Sequence, residues 1–194
     1  MRADLGYAAA QTSNDTQIEE AVEAASRMID GYCGRRFWQD GTVTAREYYA
    51  DSPVCVEVDD ISTVTGLIVK TDTDGDGTFE TTLTISTDFI LSPLNAADRT
   101  PVWPYEEIIV PSSSYYLPRL SNGRPGVQVT AKFGWPAVPD DVEQACRIQA
   151  RELFKSKDAV FGAVALAESV GRTIPGMNRQ ALALLADYRK PAVG

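Results

Sequence analysis

The chain has 194 residues and no histidine, and its 18 Lys and Arg stand against 27 Asp and Glu, which gives a net charge of −9. Without an imidazole, the sequence cannot build a Ser-His-Asp or Cys-His nucleophile system or a His-ligated zinc site. The excess of acid gives no overall support for sequence-specific DNA binding, because a duplex binder needs a basic surface. The length and the 44% hydrophobic content are those of one domain with a hydrophobic core.

Cysteine usage and the apolar runs of the chain bear on its compartment. Cys33, Cys55 and Cys146 form no C-x-x-C pair, so we interpret them as small buried hydrophobes in a reducing compartment. The N-terminal residues lack the apolar region of a signal peptide, and no stretch approaches the roughly 18 apolar residues of a membrane span. We therefore expect a chain that is made in the cytoplasm and does not enter a membrane.

The first predicted element is a helix over residues 15–33. Apolar residues recur at helical intervals from Ile18 onward. Thr16 and Glu19 have the spacing of a capping box, and Gly34 is placed to end the helix.

A basic and aromatic segment, Arg35-Arg36-Phe37-Trp38, follows this helix. One reading is a nucleic-acid contact in which bases stack on the aromatic rings. The reading we favour is structural: aromatic residues just past a helix fill the core, and the arginines pair with nearby acids.

From about residue 42 to 136 the hydrophobic period changes from 3.6 to 2, as in Val54, Val56 and Val58, which predicts an antiparallel β region. Prolines and Asp-Gly or Asn-Gly pairs punctuate it with turns. A second clear alternation covers 127–131. Further strands are predicted at 44–50, 64–70, 79–85, 88–91 and 107–110.

The helical period returns at residue 139. Asp140 and Glu143 have the spacing of an N-cap aspartate and a glutamate three residues later, and an apolar stripe continues to about Lys157. An Ala- and Val-rich segment over 159–168, a breaker over 171–176 and an amphipathic stretch over 179–189 complete the chain. The sequence therefore predicts an α+β fold, with a helical bundle formed by the N- and C-terminal helices and an antiparallel β region inserted between them. We divide one structural domain into an N-terminal segment and helix (1–45), the β region (46–136) and the C-terminal helices with a docking tail (137–194).

The sharpest local motif is an acidic loop at Asp72, Asp74, Asp76 and Glu80, with Gly77 at the sixth position. Carboxylates at positions 1, 3, 5 and 9 of a short loop suit a hard cation such as Ca²⁺. The motif fails as an EF-hand because its twelfth position is Leu83, and it is more similar to the calcium loops in the β-hairpins of integrin-type propellers. The alternative is an acidic hairpin tip in which Asp-Gly pairs supply turn geometry. Ca²⁺ is therefore a candidate ligand and not a required cofactor.

Taken together, several segments resemble the head-to-tail connector family of tailed bacteriophages, also called adaptor, head-completion or neck proteins. The resemblance rests on the helix that closes on residues 29–37, on Tyr48-Tyr49, on the strand-to-helix junction over 129–142 with its Gly-Trp-Pro turn and Val-Pro-Asp cap, and on the closing 183–189 segment. In order and approximate spacing it spans about residues 15 to 190. The Asp72–Glu80 loop is not a defining feature of this family.

The resemblance implies a structural protein of the virion neck, without enzymatic activity. Such proteins form a homo-oligomeric ring, typically a dodecamer, that joins the portal protein to the stopper or tail-completion protein and lets double-stranded DNA pass during genome ejection. The C-terminal segment would bind the portal. The residues expected to make this contact are Ile174, Met177, Leu182, Leu185, Tyr188 and Arg189.

The acidic charge is concentrated in the β region, where 6 Lys and Arg stand against 13 Asp and Glu, a net charge of −7. A channel wall lined by carboxylates would repel phosphates and let a duplex slide, because it offers no contacts that release counterions. Two other classes remain open: a calcium-binding β-rich module of a surface or adhesion protein, and an enzyme. No G-x-S-x-G, P-loop or dinucleotide motif favours an enzyme.

Overall fold

The computed structural model describes residues 14–111, 115–120, 122–162 and 176–190, and the chain divides into two units. The helical unit is formed by the residues up to Arg35 together with those from Pro139 onward, and the sheet unit by Arg36–Val138. The predicted limits of the β region, 46 and 136, lie inside the sheet unit. The predicted fold class is confirmed as α+β with an antiparallel sheet.

The helical unit contains α1 (Asp15–Cys33), α2 (Asp140–Gly162) and α3 (Arg179–Leu185). Within it, α2 contacts both α1 and α3. Ile18 and Ala21 of α1 pack against Phe154 of α2, as the helical spacing of the apolar residues requires. Among the described helices, none combines the length and the hydrophobicity needed to cross a bilayer.

The ends of the helices differ in part from the prediction. The predicted capping box is wrong, because α1 begins after Asn14 and no side chain caps it. Its C-terminal end is as predicted: Gly34 has φ +63°, and the N–H of Arg35 donates to the carbonyl of Asp30. Helix α3 is capped by Asn178, whose side chain accepts from the N–H of Gln180 at 2.8 Å.

The sheet unit holds six antiparallel strands in the order β1-β6-β2-β5-β4, with β3 also paired to β2. The strands are β1 (Thr44–Tyr48), β2 (Cys55–Thr71), β3 (Thr81–Leu83), β4 (Ile90–Ser92), β5 (Tyr105–Ile109) and β6 (Val127–Phe133). One face of this sheet carries the core. Strand β6 shows the alternation most clearly, since Val127, Val129, Ala131 and Phe133 are buried and the residues between them are half-buried.

The longest strand, β2, has 17 residues and changes its partner along its length. Its first part pairs with β5 and its second part with β6 and β3. The register shifts between Glu57 and Ile61 against β5, and between Ile61 and Ile68 against β6. These irregularities allow β2 to pair with β5 along its first part and with β6 along its second part.

At the change of partner, Asp60 binds the turn that leaves β6. Its backbone carbonyl accepts from the N–H of Gly134 at 2.7 Å, and its carboxylate accepts from Trp135 Nε1 at 3.1 Å. The fully buried Trp135 ring packs against Phe37 and Trp103, with centroids 5.2 and 4.6 Å away. The Gly-Trp-Pro segment is thus an internal hydrogen-bonded junction of the sheet unit.

Gly134 cannot be replaced without breaking this junction. Its φ is +97°, and a Cβ at this position would lie 1.9 Å from the carbonyl oxygen of Trp38. We expect Gly134→Ala to lower the free energy of unfolding in urea by at least about 2 kcal/mol, because it adds left-handed strain to a backbone clash.

The matched control is Gly31→Ala in α1, where a Cβ would meet nothing within 4 Å. This change is expected to raise the free energy of unfolding by about 0.5–1 kcal/mol, because alanine is the better helix former. Equal effects of the two substitutions would show that the Gly134 turn is not constrained as described.

Candidate functional site

The acidic loop follows β2 directly and leads to β3. Each of Asp72, Asp74, Asp76 and Glu80 offers a carboxylate oxygen, and these four oxygens lie within 4.8 Å of one another. Asp72 is fully buried, whereas the other three are exposed. The structure therefore brings all four predicted metal ligands together.

Hydrogen bonds within the loop hold its carboxylates in place. The two oxygens of Asp72 accept from the N–H groups of Gly75 at 2.7 Å and Gly77 at 2.8 Å. Asp76 accepts from the N–H of Thr78 at 2.6 Å. Desolvation alone would raise the pKa of Asp72, but the N–H donors of Gly75 and Gly77 stabilise its carboxylate, so its pKa lies below the ordinary value.

A distant turn supports the loop from outside. Asn122 Nδ2 donates to the carbonyl of Gly75 at 3.0 Å, and a terminal nitrogen of Arg124 donates to the carbonyl of Asp76 at 2.6 Å. Gly75 and Gly77 have φ values of +80° and +96°, and a Cβ on either would lie 2.5 Å from one of these side-chain nitrogens. The two glycines therefore provide both the turn geometry and the space for this support.

The size and chemistry of the cluster suit a hard cation. Calcium takes six to eight oxygens at about 2.3–2.6 Å, so the oxygens of its shell lie within about 5 Å of each other. The four carboxylate oxygens meet this limit. Leu83, at the twelfth position of the motif, is buried in β3, so the loop continues as a hairpin and not as the second helix of an EF-hand.

The predicted portal-docking residues have different environments. Leu185 and Tyr188 are 0% and 4% exposed, so in this conformation they are covered by the helical unit itself. Met177 and Leu182 are half-buried and Arg189 is exposed. Ile174 lies outside the described residues.

The end of the described chain closes onto the end of α1 within the helical unit. Arg35 Nε donates to the carbonyl of Tyr188 at 2.7 Å, and the N–H of Lys190 donates to the carbonyl of Cys33 at 2.9 Å. The Arg189 guanidinium stacks over the ring of Tyr32, 5.2 Å from its centroid. These contacts explain the burial of Tyr188 without any partner protein.

The pKa of the Cys33 thiol depends on its burial at this contact. Burial raises its pKa from 9.0 to about 11, against the opposing effect of the Arg35 guanidinium. Between these two pH values the unfolded chain has lost the thiol proton and the folded chain keeps it, so the stability contributed by the neutral thiol falls as pH rises.

We expect the difference in free energy of unfolding in urea between the unmodified chain and Cys33→Ala to be smaller at about pH 10 than at about pH 7.5. A difference that does not change with pH would mean that the thiol is not buried.

The side chains of the basic and aromatic segment, residues 35–38, make contacts within the protein. Arg35 is buried and bound to the Tyr188 carbonyl, Phe37 packs on Trp135, and Arg36 pairs with Asp40 at 3.0 Å. Trp38 is 51% exposed, with the Arg36 guanidinium 4.4 Å from its ring centroid. Arg35 and Phe37 are therefore internal, whereas the Trp38 ring keeps about half of its surface exposed.

Comparison with known proteins finds structural relatives only. No family model and no curated protein matches the chain. A chain in the neck of an empty gene transfer agent (GTA) particle, computed with C6 symmetry, matches with a TM-score of 0.52 and 20% identity over 99% of this chain and 88% of that chain. A chain in the virion of a native GTA particle matches with a TM-score of 0.53 and 20% identity, over 97% and 84%. The chain therefore shares its fold with components of a phage-like particle.

Proposed function

We propose that this protein is a structural component of a phage-like virion neck and that it performs no catalysis. The observation that carries the proposal is the fold match, which extends over nearly the whole chain to a chain from a GTA neck. The resemblance of the sequence motifs to head-to-tail connectors independently supports a location in the virion neck. In this role the protein is made in the host cytoplasm and is incorporated at the head-tail interface of the virion.

The assembly we infer is a closed ring. The related neck was computed with C6 symmetry, and a ring of six or twelve copies contains a sixfold axis. Copies that meet through two different surfaces close into such a ring when the rotation between them is an integer fraction of a full turn and there is no rise along the axis. We propose the twelve-copy ring, with the portal protein on one side and the stopper or tail-completion protein on the other.

Charge supports a channel role for the sheet unit. Residues 46–136 carry a net charge of −7, and Glu57 and Asp98 are among the acids exposed there outside the acidic loop. Carboxylates that face a DNA channel repel the phosphates, so the duplex slides without the counterion release that drives binding. The proposal thus assigns the acidic surface to the passage of the genome.

For portal docking we narrow the described contact residues to those that keep exposed surface, Met177, Leu182 and Arg189. Ile174 lies outside the described residues and stays a sequence-based prediction. Leu185 and Tyr188 instead position α3, because both are covered within the helical unit. Complete burial of an exposed Leu or Met side chain contributes about 1.5–3 kcal/mol, and the half-buried Met177 and Leu182 would contribute the part of this that belongs to their remaining exposed surface.

We therefore expect Leu182→Gln to weaken binding to portal rings by about tenfold or more, measured by co-sedimentation with the full-length chain. Met177→Gln is expected to act in the same direction. The control is Leu94→Gln, because Leu94 is 65% exposed and lies in the sheet unit. Unchanged binding by both C-terminal variants, or an equal loss with Leu94→Gln, would contradict the docking proposal.

We also propose that the Asp72–Glu80 loop binds Ca²⁺ as a structural ion. The convergence of four carboxylates supports this proposal, and the ion would neutralise part of their repulsion and stiffen the β2–β3 connection. The loop would then contribute to the stability of the ring subunit.

Calorimetric titration of the full chain with Ca²⁺ tests this role. We expect saturable binding and a higher melting temperature with Ca²⁺, and we expect Asp74→Asn to weaken binding by about tenfold or more because it removes a ligand charge. The control is Asp98→Asn, which removes the same charge from an exposed residue outside the loop. The absence of both heat and a melting shift would contradict the proposal.

A further inference from the structure

A surface pocket of about 430 Å³ lies in the sheet unit, next to the turn that supports the acidic loop. Two arginines, Arg119 and Arg124, line it together with the side chain of Tyr49. No acidic residue contributes to its described lining, although this unit is rich in acids. The pocket is therefore a local positive site on a negative surface.

Hydrogen bonds and packing hold the residues that line the pocket in place. Tyr49 is 65% exposed, and its hydroxyl donates to the carbonyl of Gly123 at 3.2 Å. The segment that carries Arg119 is anchored by Leu117, which is 3% exposed and whose N–H donates to the carbonyl of Pro53 at 2.7 Å. Gly126 lets this segment approach closely, since a Cβ there would lie 2.6 Å from the carbonyl oxygen of Pro118.

Both guanidinium groups keep hydrogen-bonding capacity. Arg124 donates to the carbonyl of Asp76, which uses one of the five N–H groups of a guanidinium. Arg119 is exposed, and within the described parts of the chain no ion pair involves it. Arg119 and Arg124 both line the pocket, and a guanidinium suits a carboxylate because it can donate two parallel hydrogen bonds to the two oxygens.

We propose that this pocket binds the side-chain carboxylate of a Glu or Asp residue on a protein partner. The inference goes beyond the neck role and does not depend on it. It assigns a binding function to Arg119, Arg124 and Tyr49, with the arginines as charge partners and the Tyr49 ring as an apolar wall.

The surroundings favour a protein carboxylate over the phosphates of DNA. Asp74, Asp76 and Glu80 are exposed on the loop that Arg124 contacts, so a duplex laid across the pocket would bring its phosphates near these carboxylates. Extended polyanions are repelled by such a surface, whereas one carboxylate on a short segment enters the pocket alone.

Titration of the full-length chain, followed by NMR of the arginine Nε–H groups, tests the site. The probes are a blocked Gly-Glu-Glu-Gly peptide, the matching Gly-Gln-Gln-Gly peptide and a short DNA duplex, all at the same ionic strength. We expect the glutamate peptide to shift the Arg119 and Arg124 signals saturably and the glutamine peptide to leave them unchanged. Arg119→Gln is expected to weaken glutamate-peptide binding by about tenfold.

The control variant is Arg99→Gln, which removes the same charge from an exposed residue of the same unit outside the pocket. Because Arg99 and Arg119 are both exposed, neither substitution is expected to unfold the chain. Three results would overturn the proposal: no saturable shift with the glutamate peptide, an equal loss of binding with Arg99→Gln, or tighter binding of the duplex at the same signals.

Discussion

The fold of the sheet unit depends on one set of contacts, those that join Asp60 to Gly134 and Trp135. Near this point the pairing of β2 with β5 ends and its pairing with β6 begins. A buried carboxylate here would be costly without hydrogen bonds to it. The Gly134 N–H and the Trp135 indole satisfy the backbone and the side chain of Asp60. Because β2 then runs on to Thr71, the same contacts set where the acidic loop emerges from the sheet.

The sequence predicted the elements whose signal is local. Helices α1 and α2 and strand β6 follow from apolar residues repeated at 3.6 or 2 positions, and the structure has all three. It predicted β2 as two pieces, an alternation at Val54, Val56 and Val58 and a strand over 64–70, and not as one strand. The buried carboxylate of Asp60 accepts from Trp135, 75 positions away, and periodicity within a short window carries no information about such a partner.

The same distinction applies to the candidate sites. The acidic loop was predictable because its four carboxylates lie within nine residues, and a short loop brings positions 1, 3, 5 and 9 together. Its support by Asn122 and Arg124 joins residues 47 and 48 positions apart, so neither this support nor the neighbouring arginine pocket had a sequence signal. At the C-terminal end, the amphipathic pattern indicated a face that must be buried. It could not distinguish a partner from the chain's own α2, and Leu185 and Tyr188 are covered within the helical unit.

In the neck role proposed above, two surfaces of this protein would contact other molecules. The described residues of the helical unit include a partly exposed C-terminal surface, and those of the sheet unit include exposed acids and the arginine-lined pocket. The central claim, a ring on the portal, is tested most directly by cryo-electron microscopy of the full-length chain mixed with portal rings. The account predicts a closed ring of this protein, coaxial with the portal and bound at one end of it. Portal rings that remain bare at a saturating concentration of the folded chain would contradict it.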